Sequence, residues 1–432
     1  MPQLGKTKEA TTTLTQGAPS QPRTHTSEIL IWFYRSLFSA IEIRQTNLVY
    51  RINMTEPELN TINEELRVLS FNIWGLPLVS PNRRQRYAKL LKFLETRELD
   101  MVLLQEVWLK TDQSALIRQF QGIGFPYTSA IGQHGNFQSG LFAASKYPQK
   151  NHFFRAFSDQ KITKHPYHLD WLARKGFGGF TTEIRGEPLL ILNTHLQAGY
   201  GTADYEITQA QQIMDITTWL DAELPKITRE FADKKPAIIM AGDLNTTWPS
   251  TPFQLLEEEA NLSAVFHPQR IDAMLFRSGG HLQLNVTQAE YLFENSLWPT
   301  DRNAISDHPA IFTKFSLTKA PEACPVKTKR PMDLTRTKKF QETCKARMRE
   351  RTQRAKKYCF AGFVLLLLLI GFAPQRLSDD NLGLFSYYSI IGMILIWCAW
   401  WWYQANPVVK AEEQMLNRLD AYFGPQSEEQ LK

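Results

Sequence analysis

Between Leu66 and Thr318 the chain is punctuated by short apolar runs: "LRVLSFNIW", "DMVLLQEVW", "SGLFAAS", "GGFTTEI", "LLILNTHL", "AIIMAGDLN", "RIDAMLF" and "AIFTKFSL". Apolar runs of that length, rich in branched and aromatic residues, fit strands buried inside a sheet. Amphipathic helical stretches lie between them. Tyr87, Leu90, Leu91 and Leu94 share one helical face, and the segment from Asp204 to about Glu223 forms another helix. Many strands with few helices predict a sheet-on-sheet core covered by helices outside.

The ends of these strands are the informative part. Asn72 in "SFNIWG", Glu106 in "LLQEVW", His195 in "LNTHL", and Asp243 with Asn245 in "GDLN" finish apolar runs in polar groups, and Asp307 and His308 in "ISDHPA" precede the last strand. Any one of them has an ordinary account, since Asn and Asp begin turns and a strand-end histidine is usually a satisfied donor. Five such clusters in order, all at strand ends, place polar chemistry at one edge of the sandwich.

From Phe71 to Ala310 the ordered set "FNIWG", "QEVW", "NTHL", "GDLN", "RID" and "SDHPA" resembles the endonuclease/exonuclease/phosphatase superfamily of Mg²⁺-dependent phosphodiesterases. Within it, "FNIWGLP", "EVW" and "DWLARKG" look most like neutral sphingomyelinases, some of which also carry a paired C-terminal membrane hairpin. The resemblance implies an α/β fold, a four-layer α-β-β-α sandwich of the deoxyribonuclease/phosphodiesterase type. It implies that Glu106 is the principal Mg²⁺ ligand with Asn72 beside it, and that Mn²⁺ can substitute. Asp243 and Asn245 would orient the scissile phosphate and the attacking water. His308 would be the general base, supported by Asp272, with Asp307 holding metal-bound water. His195 would bond a phosphoryl oxygen or protonate the leaving ceramide oxygen. Asp170 and Lys175, five residues apart, would sit on a moving loop that reaches the phosphate, and Trp108 would contact substrate. In-line attack on a diester needs such groups, because charge builds on the equatorial oxygens while one proton leaves and another arrives. Where members of the family read "RIDY", this chain has Ala273.

The implied function is hydrolysis of sphingomyelin to ceramide and phosphocholine at a membrane. The alternatives are a phospholipase C acting on a lysophospholipid or inositol phospholipid, and a nuclease of the same superfamily. Charge argues against nucleic acid as substrate. The stretch Cys324 to Lys357 carries thirteen Lys/Arg against three Asp/Glu in a chain whose net charge is +6, so the remainder carries −4. A nucleic-acid enzyme would be expected to carry basic surface on its main domain. The four cysteines all stand at or beyond Cys324, and one of the four glycosylation sequons would put a glycan on Asn245 itself. Both observations favour a cytosolic catalytic domain.

The organisation expected is a disordered tail (1–28), an amphipathic segment (29–65), a catalytic domain (66–318), a basic juxtamembrane linker (319–357), transmembrane helices over 358–373 and 382–403, and a cytoplasmic tail (404–432). The positive-inside rule then places the catalytic domain and both termini on the cytoplasmic side. The partners implied are the membrane lipid substrate and anionic phospholipid met by the basic block.

Overall fold

The computed structural model describes residues 64–319 except Leu78, 133–136, 159–173, 200–204 and Pro268, together with 334–371, 387–399, Glu413, Gln414 and Asn417. All eight apolar runs are strands: β1 (Glu64–Asn72), β2 (Met101–Leu109), β4 (Phe137–Ser145), β6 (Gly176–Ile184), β7 (Glu187–His195), β8 (Ala237–Asp243), β10 (Asp272–Arg277) and β12 (Ala310–Lys319). Four further strands escape the apolar pattern: β3 (Tyr127–Ile131), β5 (Lys150–Ala156), β9 (Ser263–Ala264) and β11 (Leu282–Leu292). Two six-stranded sheets form, in the orders β11-β12-β1-β2-β4-β3 and β5-β6-β7-β8-β10-β9, so all four of these strands are edges. An edge strand buries little, and its sequence needs no apolar run.

The helices are α1 (Arg83–Glu95), α2 (Lys110–Gly122), α3 (Glu206–Glu230), α4 (Thr251–Glu259), α5 (Leu334–Gly371) and α6 (387–399). Strand alternation divides the core into layers. Leu66, Val68, Met101 and Leu103 face Leu189, Ile191 and Ile239 between the sheets. The next residues along, Leu69, Phe71, Val102 and Leu104, turn outward to Leu90 of α1 and Leu116 and Phe120 of α2. On the far side Leu190, Leu192, Ile238 and Met240 pack on Ile213 and Ile216 of α3 and Phe253 of α4. The order is helix, sheet, sheet, helix.

Each sheet is mostly antiparallel but contains one parallel pair, β1 with β2 and β7 with β8. These pairs lie at the centres of their sheets, and their carboxyl ends meet across the sandwich, where Asn72 bonds Asp243. That junction positions the site.

The transmembrane hairpin is not borne out. Among the described residues no helix is long and apolar enough to cross a membrane. The uncharged run 358–371 is the last part of α5, whose earlier turns carry the basic block, and it spans only about 21 Å at 1.5 Å per residue. The residues that would complete both spans lie outside the described set. α5 and α6 do pack together: Cys359 Sγ lies 3.9 Å from the Cys398 carbonyl, and the Tyr358 and Trp397 rings meet edge-on at 6.1 Å. At its other end α5 is docked on the domain by Phe340, which is buried among the α4 core residues.

Candidate active site

Backbone geometry brings the polar residues together first. Asn72 ends β1 beside Gln105 of β2, while His195 and Asp243 pair in register at the ends of β7 and β8, and Asp272 pairs with Asp243 from the antiparallel side. β2 slips register against β4 between Leu104 and Val107, and Glu106 there takes a left-handed φ of 63°. Such a conformation costs a non-glycine residue about 1–2 kcal/mol, and bulges of this kind re-aim a side chain out of the strand's alternation. The gain is that Glu106 meets Asn72. Gly75 makes room for this, since a Cβ there would lie 2.0 Å from the Glu106 carbonyl oxygen and 2.4 Å from the Tyr87 hydroxyl. Asn245 is also left-handed, at φ 49°, a conformation asparagine tolerates.

Asn72 is fully buried and holds two carboxylates at once. Its Nδ2 donates to Glu106 Oε1 at 3.1 Å and to Asp243 Oδ2 at 3.0 Å, while its Oδ1 accepts the Trp74 amide at 3.0 Å. Trp108 Nε1 reaches the other Glu106 oxygen at 3.4 Å, and its buried ring lies 6.0 Å from that of His195. Asp243 Oδ1 accepts the Asn245 amide at 2.9 Å, and the Asn245 side chain donates to the Leu196 carbonyl at 3.0 Å. His308 Nδ1 bonds Asp272 Oδ2 at 2.9 Å, turning its Nε2 to within 3.8 Å of Asp243 Oδ2.

Lys175, immediately before β6, is buried, 3.1 Å from His195 Nε2 and 2.9 Å from the Leu196 carbonyl. An ammonium can only donate, so His195 Nε2 is the acceptor and the ring proton belongs on Nδ1. Nδ1 is buried with no protein partner among the described residues. Burial, then the charges of Lys175 and His308, holds the His195 pKa well below its ordinary value and keeps the ring neutral. Asp170 falls outside the described residues. Glu106, Asn72, Asp243, Asn245, Asp272, Asp307, His308, His195, Lys175 and Trp108 thus occupy one strand-end cluster.

Four carboxylates, from Glu106, Asp243, Asp272 and Asp307, crowd here against Lys175 and His308. Burial pushes the Glu106 pKa up and Asp307 adds to it; burial likewise raises Asp243 and Asp307. His308 goes the other way: burial opposes its charge, but Asp272 and Asp243 outweigh that and raise its pKa well above the usual histidine value. Carboxylates driven toward protonation by desolvation and mutual repulsion are oxygen donors short of positive charge, which is the donor set a hard divalent cation fits. One His–carboxylate group, Asp243, Asp272 and His308, has its ligand atoms within 4.8 Å of one another. His308 Nδ1 is already committed there to Asp272, and Glu106 is joined to the group through Asn72, which bonds both it and Asp243.

Three residues of this centre did not stand out in the sequence. Ser306 Oγ donates to the Asn72 carbonyl at 2.7 Å and accepts the His308 amide at 3.2 Å. Trp74 packs against Trp298, and Arg86 lies under the Asn72 loop. Ser306 and Trp74 sit inside recognisable motifs without an obvious role. Arg86 carried a signal: it is a charged residue four positions before Leu90, on the apolar face of α1.

Residues 69–308 match the Endonuclease/Exonuclease/phosphatase family. The chain is 30% identical to human "Sphingomyelin phosphodiesterase 2" over 54% of this chain and 52% of that protein. It is also 30% identical to "Inositol phosphosphingolipids phospholipase C" of Schizosaccharomyces pombe, over 44% of each. The chain spans about half the length of these relatives. Among solved structures, sphingomyelinase C of Streptomyces griseocarneus is 16% identical with a TM-score of 0.44, covering 58% of this chain and 99% of that one.

Proposed function

The chain belongs to the Endonuclease/Exonuclease/phosphatase family, and from that premise we propose that it is a divalent-metal-dependent phosphodiesterase of phospholipase C type, cleaving sphingomyelin to ceramide and phosphocholine. The observation that carries this reading is the meeting of Glu106, Asn72, Asp243, Asp272 and His308 with the buried Lys175–His195 pair at the carboxyl ends of both parallel strand pairs. Similarity to sphingomyelin phosphodiesterases supports the lipid substrate.

His308 Nε2 takes the proton from the attacking water, and Asp272 on Nδ1 stabilises the imidazolium that forms. Asp243, fixed by Asn72 and by the Asn245 amide, orients that water. The water oxygen bonds to phosphorus, the bond from phosphorus to the ceramide oxygen breaks, that oxygen takes a proton from solvent, and the His308 imidazolium returns its own to solvent. Lys175 holds neutral His195 in the Nδ1–H tautomer, and its ammonium would set positive charge against the phosphoryl oxygens. Glu106, with Asn72 beside it, would hold Mg²⁺, which when bound would neutralise charge on the phosphoryl oxygens.

The C-terminal helices are the part we assign to lipid contact. Phe360, Phe363, Leu365, Leu367 and Leu368 of α5 and Met393, Leu395 and Ile396 of α6 are exposed, an apolar surface unlike the rest of the described residues. On this reading the catalytic domain and both termini are cytoplasmic, and the basic turns of α5 meet anionic lipid.

A second head group is favoured by the similarity to an inositol phosphosphingolipid phospholipase C. Purified protein incubated with sphingomyelin and with inositol phosphosphingolipid, with and without Mg²⁺, tests both. Release of phosphocholine only with Mg²⁺ is expected. Release of inositol phosphate alone would move the head group and keep the chemistry.

A further inference from the structure

Arg86 is the deepest cation of the helix layer and takes no obvious part in the chemistry. It is 3% exposed, yet among the described residues no carboxylate pairs with it. Its guanidinium donates instead to four backbone carbonyls: Nε to Pro81 at 2.9 Å, Nη1 to Ile73 at 2.8 Å and to Ile305 at 2.7 Å, and Nη2 to Trp74 at 2.7 Å. Its Cζ also lies 5.1 Å from the centre of the Trp74 ring. Asp307 and Glu106 act on its charge only from beyond ion-pair distance, and burying a charge without a direct ion pair is costly unless nearly every donor is used. Four of its five N–H groups are.

The acceptors identify what those bonds join. Ile73 and Trp74 follow Asn72 directly, while Ile305 precedes Ser306, Asp307 and His308. A second link runs parallel to the first, through Ser306 Oγ to the Asn72 carbonyl and the His308 amide to Ser306 Oγ. One turn further along α1, Lys89 Nζ donates to the Asn303 carbonyl at 2.9 Å. The ladder between β1 and β12 brings the two sides together and ends at Ser70 and Ile311, so beyond it these side chains hold the loop after β1 against residues 301–308.

We infer that Arg86 is a positioning residue for the reaction, its guanidinium stapling the loop that follows Asn72 to the loop that carries His308. The inference rests on the phosphodiesterase reading for its kinetic part and not for its structural part. Only a planar fork can reach three chain segments at once; a lysine offers three donors from a single atom and cannot span them.

Arg86→Met keeps length and apolar contact while removing every donor. It should lower kcat about 10²-fold, the effect of a misplacement on the order of 1 Å, with KM for dispersed lipid within about threefold. Arg86→Lys should recover part of the loss. Hydrogen–deuterium exchange gives a readout independent of activity: peptides 73–82 and 303–309 should exchange faster in Arg86→Met while 237–243 in the core of β8 stays protected. If Arg86→Met does not fold, Ser306→Ala carries the same test through the parallel link and should loosen 303–309 and lower kcat. Loosening of both loops in a chain whose wild type cleaves no phosphodiester would retain the staple and reject the function. A folded Arg86→Met with unchanged exchange and kcat within threefold of wild type would overturn the inference, as would exchange that rises equally in 237–243.

Discussion

His195 and Asp243 close neighbouring parallel strands in register, and their side chains meet at 3.4 Å, Nε2 to Oδ2. The strand register sets the two residues side by side, and Lys175 holds the same Nε2 at 3.1 Å. Asp272 reaches Asp243 from the opposite strand, and Asn72 reaches it from the other sheet, so Asp243 is the residue on which both halves of the sandwich converge.

Glu106→Gln should fold and lose turnover by orders of magnitude, because an amide is a poor ligand for a hard cation. Isothermal titration should show weaker Mg²⁺ binding than in wild type. Normal turnover by this variant at low Mg²⁺ would remove Glu106 from the metal site.

Protonated His308 is the inactive form of a base, and its pKa is held well above the ordinary 6.5 by Asp272 and Asp243 against the opposing pull of burial. The rate should therefore rise with pH through a range above that of an ordinary histidine and be lost as pH falls through it. Asp272→Asn removes the leading carboxylate, so the acid limb should move to lower pH even as the maximal rate drops. Raising Mg²⁺ should move it the same way, since a nearby cation disfavours the imidazolium. His308→Ala should cost roughly 10²–10⁴-fold in kcat. A wild-type profile that is flat across the acid limb, with chemistry rate-limiting, would argue against His308.

Gly75→Ala should disturb the site through packing alone. The added methyl meets the Glu106 carbonyl oxygen at 2.0 Å, backbone already bent by the bulge, so a loss of about 1–3 kcal/mol is expected together with reduced kcat. A thermal midpoint equal to wild type with full activity would show that the loop yields freely.

The interior strands and the strand-end residues were legible in the sequence because both are under strong demand: interior strands must be apolar, and a polar group ending such a run has to be used. β3, β5, β9 and β11 were not legible, since an edge strand can be polar. Lys175 was legible as a residue but not in its position, because the contact with His195 depends on β6 pairing β7. Arg86 and Ser306 bond mainly to backbone carbonyls and amides of other loops, and no spacing along the chain reports such partners. The basic stretch after Cys324 was legible as charge but not as the start of a helix anchored by Phe340.

That anchor changes how the C-terminus should be dissected. A chain ended after Lys357 keeps Phe340 and should hydrolyse detergent-dispersed lipid at the full-length rate while losing rate on vesicles. A chain ended before Cys324 also uncovers the Phe340 site, and Phe340→Ala in the full chain should cost on the order of 3 kcal/mol. Equal vesicle activity in the chain ended after Lys357 would leave the exposed apolar helices without a role in lipid contact.

The most direct test of the central claim follows the oxygen atom. In ¹⁸O-labelled water, with Mg²⁺ and sphingomyelin in micelles, attack of water at phosphorus places one ¹⁸O in phosphocholine and none in ceramide, read by mass spectrometry of both products. Label in phosphocholine alone, formed roughly 10²–10⁴-fold more slowly in His308→Ala, is the predicted result. Label in ceramide, or no cleavage of this or any other phosphosphingolipid under these conditions, would contradict it.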